Sequence, residues 1–260
     1  MLRHGWLITF ALLLFASLAF AQNIAPGGTL RAAYLANNPA QAVRDPVSGE
    51  IRGASADLAR ELARRHNMPL VLIPLTNPPA VIEAVAKGDA DIGFVAYAPE
   101  RVGTVEFSQI YMLVQQSFVV ADGSPIRTVA DIDAPGRRIA GGKNDSITLY
   151  LARNLKQATL VETDNTPADA KRRLLAGEVD AFGANRQRLT NLLKEMPGYR
   201  LLPDNLFGVT IIVPKGKPEV LAVINGFIDD VRASGFLQNA IAKSEVVGLE
   251  MAPAGTTLQR

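Results

Sequence analysis

Cysteine is absent from this chain of 260 residues, and histidine occurs only twice. Without thiols the chain can form no disulfide framework, no cysteine-ligated zinc site and no thiolate nucleophile. One histidine, His4, lies in an apolar N-terminal segment, so His66 is the single imidazole of the remaining chain. We therefore expect neither a metal site nor a cofactor, and we assign no catalytic residue.

A large net charge is also lacking. Lysine and arginine together number 27 against 25 aspartates and glutamates, which gives a net charge of +2, and no basic run occurs. Nucleic acid and acidic phospholipid are therefore not indicated as partners. Hydrophobic residues make up 48% of the chain and charged residues 20%, which is typical of a soluble globular protein with a substantial core. We expect this protein to be a monomer.

The one long apolar run lies at the N-terminus, from Trp6 to Phe20, after the basic Arg3. Small residues end it, which is typical of a secretory signal peptide over residues 1–21 with cleavage before Gln22. A membrane anchor is the alternative, but the run is short for a span of about 20 apolar residues. Because the chain has no cysteine to carry a lipid, we expect a free periplasmic protein.

Strands and helices alternate in the rest of the chain. Apolar stretches at 29–35, 69–75 and 89–95 predict strands, and helical periodicity predicts helices at 56–66 and 78–87 between them. This order favours a parallel α/β sheet with right-handed crossovers. Sites in such sheets lie beyond the carboxyl ends of the strands.

The order then repeats. Two long apolar strands, at 111–121 and 206–213, flank a second α/β unit at 138–194. Ser55 stands where the cap of the first helix is expected. The tail after Val247 carries no strong pattern, and we expect it to be mobile.

Arg101 lies just past the third strand, after a breaker at 96–99. Pro99 and Glu100 suit the first turn of a helix, where backbone N–H groups are unpaired. An arginine in this place can hold a carboxylate by two parallel hydrogen bonds. The alternative is a solvated helix residue, which spacing alone favours; the motifs around Arg101 favour the ligand-binding role instead.

Five segments carry a resemblance to a known family: GASADLARELARR, AVAKGDADIGFVAYAPERVGTVEFSQIY, SPIRTVADIDAPGRRIA, ADAKRRLLAGEVDAFGANR and VPKGKPEVLAVINGFIDDVRASG. Together they resemble the amino-acid-type periplasmic solute-binding proteins of ABC importers, bacterial family 3. The resemblance covers about residues 28–243, which is nearly the whole chain after the apolar run.

The resemblance implies a two-lobe clamshell of type II, in which each lobe is a mixed, mostly parallel sheet flanked by helices. Lobe 1 would comprise 22–115 plus 213–260, lobe 2 would comprise 122–206, and hinge strands at 116–121 and 207–212 would cross between them. The implied function is the substrate-binding component of an ABC importer for amino-acid transport. It would capture a small polar ligand, carboxylate-bearing and amino-acid-like, between the two lobes and deliver it to a membrane permease. An enzyme of this fold, such as a cyclohexadienyl dehydratase, and a periplasmic sensor or accessory binding protein are the alternatives.

Family roles carry over residue by residue. The arginine that grips the ligand carboxylate in relatives is matched by Arg101. An aromatic that stacks on the ligand is replaced near Asn38, and an acid that pairs with the ligand ammonium is replaced by Asn185. The ligand-binding residues predicted in this way are Arg101, Asn38, Ala96, Tyr97, Asp145, Ser146 and Asn185.

These replacements affect which class of ligand the site can bind. A buried ammonium needs a nearby opposite charge, and Asn185 offers none. Either Asp145 supplies the charge, or the ligand is not an α-amino acid; the residues favour the second reading, a small carboxylate or an amide-bearing compound. Asp145 and Asn185 also stand where helix caps are expected, and packing is the alternative for Tyr97.

Overall fold

The computed structural model describes residues 24–203 and 205–257. The predicted signal peptide at 1–21 lies outside the described residues. In the part of the chain that is described, no helix combines the length and the apolar character that crossing a membrane requires.

Three strands and two helices form the first α/β unit, and a small hairpin precedes its first helix. The elements in chain order are β1 (Leu30–Leu35), β2 (Val43–Arg44), β3 (Ile51–Arg52), α1 (Ala54–Arg65), β4 (Leu70–Leu75), α2 (Pro78–Lys87), β5 (Ile92–Ala96) and β6 (Val105–Phe107). Strand β1 pairs in parallel with both β4 and β5, as the alternating order predicts.

The second unit follows a long strand. The long strand is β7 (Met112–Ala121), and the elements after it are β8 (Arg138–Gly142), α3 (Ser146–Asn154), β9 (Thr159–Thr163), α4 (Pro167–Leu175), β10 (Ala181–Asn185), α5 (Arg186–Leu193) and β11 (Tyr199–Leu201). Strand β8 pairs in parallel with β9 and β10. We call β1, β4 and β5 with their helices the first unit, and β8, β9 and β10 with theirs the second unit.

The chain then returns to the first unit. The last elements are β12 (Asn205–Pro214), α6 (Pro218–Ala233), α7 (Phe236–Lys243) and β13 (Leu249–Met251). Helices α1, α6 and α7 pack on one face of the first unit's sheet, and α2 packs on the other face. Side chains of β5 alternate between these two cores, with Phe94 in one and Val95 in the other.

The two long strands β7 and β12 connect the units. They pair with each other antiparallel, from Asn205 opposite Gln116 to Val209 opposite Met112. Beyond Gln116, β7 pairs with β10 of the second unit, and from Val209 onward β12 pairs with β5 of the first unit. The exact lobe and hinge bounds given above stay a prediction, but the connection by two long strands is present.

Three local predictions are wrong. Gly53, not Ser55, precedes α1, and Ser55 is buried with its hydroxyl 2.9 Å from that of Tyr111. Residues Pro99–Arg101 form a single 3-10 turn instead of opening an α-helix. The tail after Val247 includes β13, which pairs antiparallel with β7 and so is held in the sheet.

Gly93 in β5 tests the packing between α2 and the sheet. A Cβ at this position would lie 2.8 Å from Val81 Cγ1 and 3.1 Å from Ile212 Cγ1. We expect Gly93→Ala to lower the free energy of unfolding by about 1–3 kcal/mol, because the core must be displaced. Urea unfolding measures this value.

The control is Gly226→Ala on α6, where a Cβ would have no neighbour within 4 Å. This change should raise the free energy of unfolding by about 0.5–1 kcal/mol, since alanine is the better helix former. Equal stability of the two variants would contradict the packing described.

Candidate functional site

A small cavity lies between the two units, where β1, β5 and β10 end and where α3 and α5 begin. Its volume is about 40 Å³. Strands β7 and β12 contribute Gln116 and Val209 to its wall. The other lining residues used below are Asn38, Gln41, Ala96, Arg101, Asp145, Ser146, Asn185 and Arg188.

Arg101 is the buried cation of this cavity. The 3-10 turn after β5 places its side chain inward, so that the residue is only 7% exposed. Nη1 donates to the carbonyl of Ala96 at 2.6 Å, and Nη2 donates across the cavity to the carbonyl of Asn144 at 2.7 Å. Burial lowers the pKa of Arg101 to about 10, so the guanidinium is charged at neutral pH.

No carboxylate among the described residues forms an ion pair with Arg101; Asp145 and Glu100 act on it only through their field. The two carbonyls solvate the charge but do not neutralise it. A buried cation in this condition is stabilised by an anion that approaches it, and a guanidinium binds a carboxylate by two parallel hydrogen bonds. The site is therefore suited to a carboxylate.

Asp145 precedes α3 at the cap position, but its side chain makes no capping hydrogen bond. Instead, its Oδ2 accepts from Arg188 Nη1 at 2.9 Å, and Arg188 Nη2 donates to the carbonyl of Asn165 at 2.8 Å. Burial raises the pKa of Asp145, and the guanidinium of Arg188 opposes this shift. Among the described residues, the charged groups that line the cavity are thus two guanidiniums and one carboxylate.

Asn185 has two hydrogen-bonding roles. Its Oδ1 accepts from the backbone N–H of Arg188 at 3.0 Å and so caps α5, which was the structural alternative from the sequence. Its Nδ2 donates to Asn38 Oδ1 at 3.0 Å, from the second unit to the first. Asn38 Oδ1 also accepts from the N–H of Ala40, which fixes its orientation.

Gln116 lines the cavity and carries an unpaired acceptor. Its Nε2 donates to Ser146 Oγ at 2.8 Å, while Oε1 is buried without a hydrogen-bond partner among the described residues. Gln41, which is 2% exposed, accepts from the N–H of Leu35 at 3.0 Å. A buried acceptor that lacks a partner is costly, so Gln116 Oε1 favours a ligand that donates a hydrogen bond.

Six of the seven predicted residues meet at this cavity. Tyr97 does not: its ring contacts Phe107 edge-on, with centroids 5.4 Å apart, and lines a different groove. Tyr97 therefore has the packing role that the sequence left as the alternative to ligand binding.

Sequence reasoning missed Gln41, Gln116 and Arg188. Gln116 had a signal, because it is a polar residue within a long apolar strand. Arg188 had none, since an arginine in the first turn of a helix is usually solvated.

Three contacts close the cavity from both sides. Besides the bonds from Arg101 to Asn144 and from Asn185 to Asn38, Glu100 forms an ion pair with Arg153 of α3. The last pair is more than one-third exposed, so it contributes little. The two partly buried contacts therefore hold the units together where the charged groups lie.

The sequence of this chain is similar to those of known proteins over most of its length. A sequence model of the bacterial extracellular solute-binding proteins, family 3, matches residues 30–244. The ABC transporter glutamine-binding protein GlnH of Bacillus subtilis (strain 168) is 24% identical over 201 residues, which cover 74% of this chain and 72% of that protein. The glutamine-binding protein of Geobacillus stearothermophilus is 26% identical over 167 residues, covering 62% and 63%.

A solved structure confirms the predicted fold class. The crystal structure of an ancestral amino acid-binding protein, a precursor of cyclohexadienyl dehydratase, superposes with a TM-score of 0.71 at 22% identity. The match covers 87% of this chain and 98% of that one. The two units are therefore the two lobes of a clamshell.

The capping role of Asn185 gives a direct test of the site's frame. Asn185→Ala should lower the free energy of unfolding by about 1 kcal/mol, because the N–H of Arg188 loses its acceptor. Asn185→Ser should lose less, since serine still accepts the backbone N–H at a cap while both variants lose the Nδ2 donor to Asn38. Urea unfolding of both variants distinguishes them, and an equal loss in both would contradict the assigned cap.

Proposed function

The chain belongs to family 3 of the bacterial extracellular solute-binding proteins, and on this premise we propose that it is the periplasmic substrate-binding component of an ABC importer. Its cargo is a small polar compound that carries a carboxylate. The protein binds this compound without chemical change and presents the closed form to a membrane permease. The name of the Bacillus subtilis relative, an ABC transporter glutamine-binding protein, supports the transport role.

The observation that carries the proposal is the buried, unneutralised guanidinium of Arg101. It lies between the lobes at the carboxyl end of β5, where open α/β sheets place their ligands. Its bond to Asn144 joins the lobes through a carbonyl, which is a weaker partner than a carboxylate. When a ligand carboxylate replaces the Asn144 carbonyl as the partner of Arg101, the stronger hydrogen bonds favour binding.

Capture requires motion of the lobes. A cavity of about 40 Å³ has room for only a few water molecules, so a metabolite enters when the lobes separate. A ligand shifts the population toward the closed form only if it interacts more strongly with that form. Arg101 on the first lobe and the groups of α3 and β10 on the second supply this difference, because they reach the ligand together only on closure.

The N-terminal sequence supports a periplasmic location. The N-terminal apolar run ends as a secretory signal does, which supports export to the periplasm. An importer's binding protein acts there, before the membrane step.

Arg101→Ala tests the proposal. A thermal-shift screen with amino acids, small organic acids and amides first identifies ligands, since binding to the folded state raises the melting temperature. In calorimetry with a compound so identified, Arg101→Ala should weaken binding by about 2–5 kcal/mol, or roughly 30- to 5000-fold in Kd. Arg101→Lys should weaken it less, because the charge remains but the two parallel hydrogen bonds do not.

The matched control is Arg173→Ala, which removes an arginine that pairs with Asp169 on α4 away from the cavity. It should leave Kd unchanged. The proposal fails if no compound stabilises the protein, or if Arg101→Ala binds as tightly as the parent chain.

A further inference from the structure

The charges around the cavity restrict the ligand beyond the need for a carboxylate. Arg101, Arg188 and Asp145 are the charged groups that line it within the described residues, and they sum to one positive charge. A ligand with a single carboxylate brings this sum to zero. An α-amino acid, which carries an ammonium as well, leaves it at one and adds a cation beside two guanidiniums.

Arg188 is held firmly at the cavity. Its side chain is 13% exposed and makes two hydrogen bonds, one to Asp145 Oδ2 and one to the carbonyl of Asn165. Asp145 is the only carboxylate lining the cavity in the described part of the chain. Its ion pair with Arg188, made through Oδ2, already offsets the one negative charge that could neutralise a buried ammonium.

The remaining acceptors are neutral. Asn185 Oδ1 is engaged by the cap of α5, whereas Gln116 Oε1 is buried without a partner. A hydroxyl group of the ligand can donate a hydrogen bond to a neutral acceptor without burying a second charge. The lining of the cavity thus combines a cation, Arg101, with a residue that carries an unpaired neutral acceptor, Gln116.

From these contacts we propose that Arg188 is a specificity-determining residue. By pairing with Asp145, it excludes α-amino acids from the site. The ligands that remain are carboxylates with a neutral hydrogen-bond donor, such as 2-hydroxy acids. This inference rests on the proposed function, since it assumes that the cleft binds a carboxylate at Arg101. It deepens that function by naming the class of ligand and the residue that selects it.

Matched ligand pairs test the selection. The probes are L-alanine with L-lactate, L-leucine with L-2-hydroxyisocaproate, and L-glutamate with L-2-hydroxyglutarate, which differ only in ammonium against hydroxyl. Thermal shift and calorimetry at pH 7 give the ratio of the two affinities in each pair that binds. The parent chain should prefer the hydroxy acid.

Arg188→Gln should shift this ratio toward the amino acid by about tenfold or more, because Asp145 becomes available to the ammonium. Arg173→Gln, which also breaks an arginine–carboxylate pair of the second lobe, is the matched control and should leave the ratio unchanged.

Two further variants keep the test decisive if Arg188→Gln does not fold. Asp145→Asn leaves both guanidiniums unopposed and should lower the affinity for amino acids further. The double variant Asp145→Asn with Arg188→Gln returns the cavity to one positive charge and should restore the preference of the parent chain.

Three results overturn the inference. If the parent chain binds amino acids as tightly as hydroxy acids in an Arg101-dependent manner, the selection is refuted and the proposed function stands. If the preference exists but neither Arg188→Gln nor Asp145→Asn moves it, the ion pair is not its cause. If no carboxylate of either class binds, the proposed function fails and the inference fails with it.

Discussion

The structure depends on one electrostatic constraint, which is a guanidinium buried between two lobes whose hydrogen-bond partners, within the described residues, are carbonyl oxygens alone. Desolvation makes this charge expensive, and the dipoles of Ala96 and Asn144 offset only part of the cost. Because one of these carbonyls belongs to each lobe, the charge proposed to attract a ligand also draws the lobes together. In the proposed function, ligand binding and closure are therefore two results of a single unsatisfied group.

The paired strands β7 and β12 make this arrangement possible. They run through both lobes, and each changes its neighbour near its midpoint, at Gln116 and at Val209. Both of these residues also line the cavity. The wall of the site is thus the connection between the lobes, so a change in lobe orientation must alter the cavity itself.

Much of the fold was predictable from local pattern. The bounds of β1, β4 and α2 follow within a residue or two from apolar periodicity and from proline and glycine at the helix ends. The failures share a cause. Ser55 is a good cap by type, yet burial against Tyr111 gives its hydroxyl another partner, and β13 forms because β7 offers a free edge from a distant part of the chain.

The sequence by itself determined the order of elements, the family resemblance and the position of Arg101 at a strand end. These are local properties, carried by residue type and spacing. Tertiary structure alone decided that Arg188 binds Asp145, that Gln116 faces the cavity and that Tyr97 does not. Such facts depend on which distant surfaces meet and on how much water they exclude, because burial sets the strength of every charge and hydrogen bond in the site.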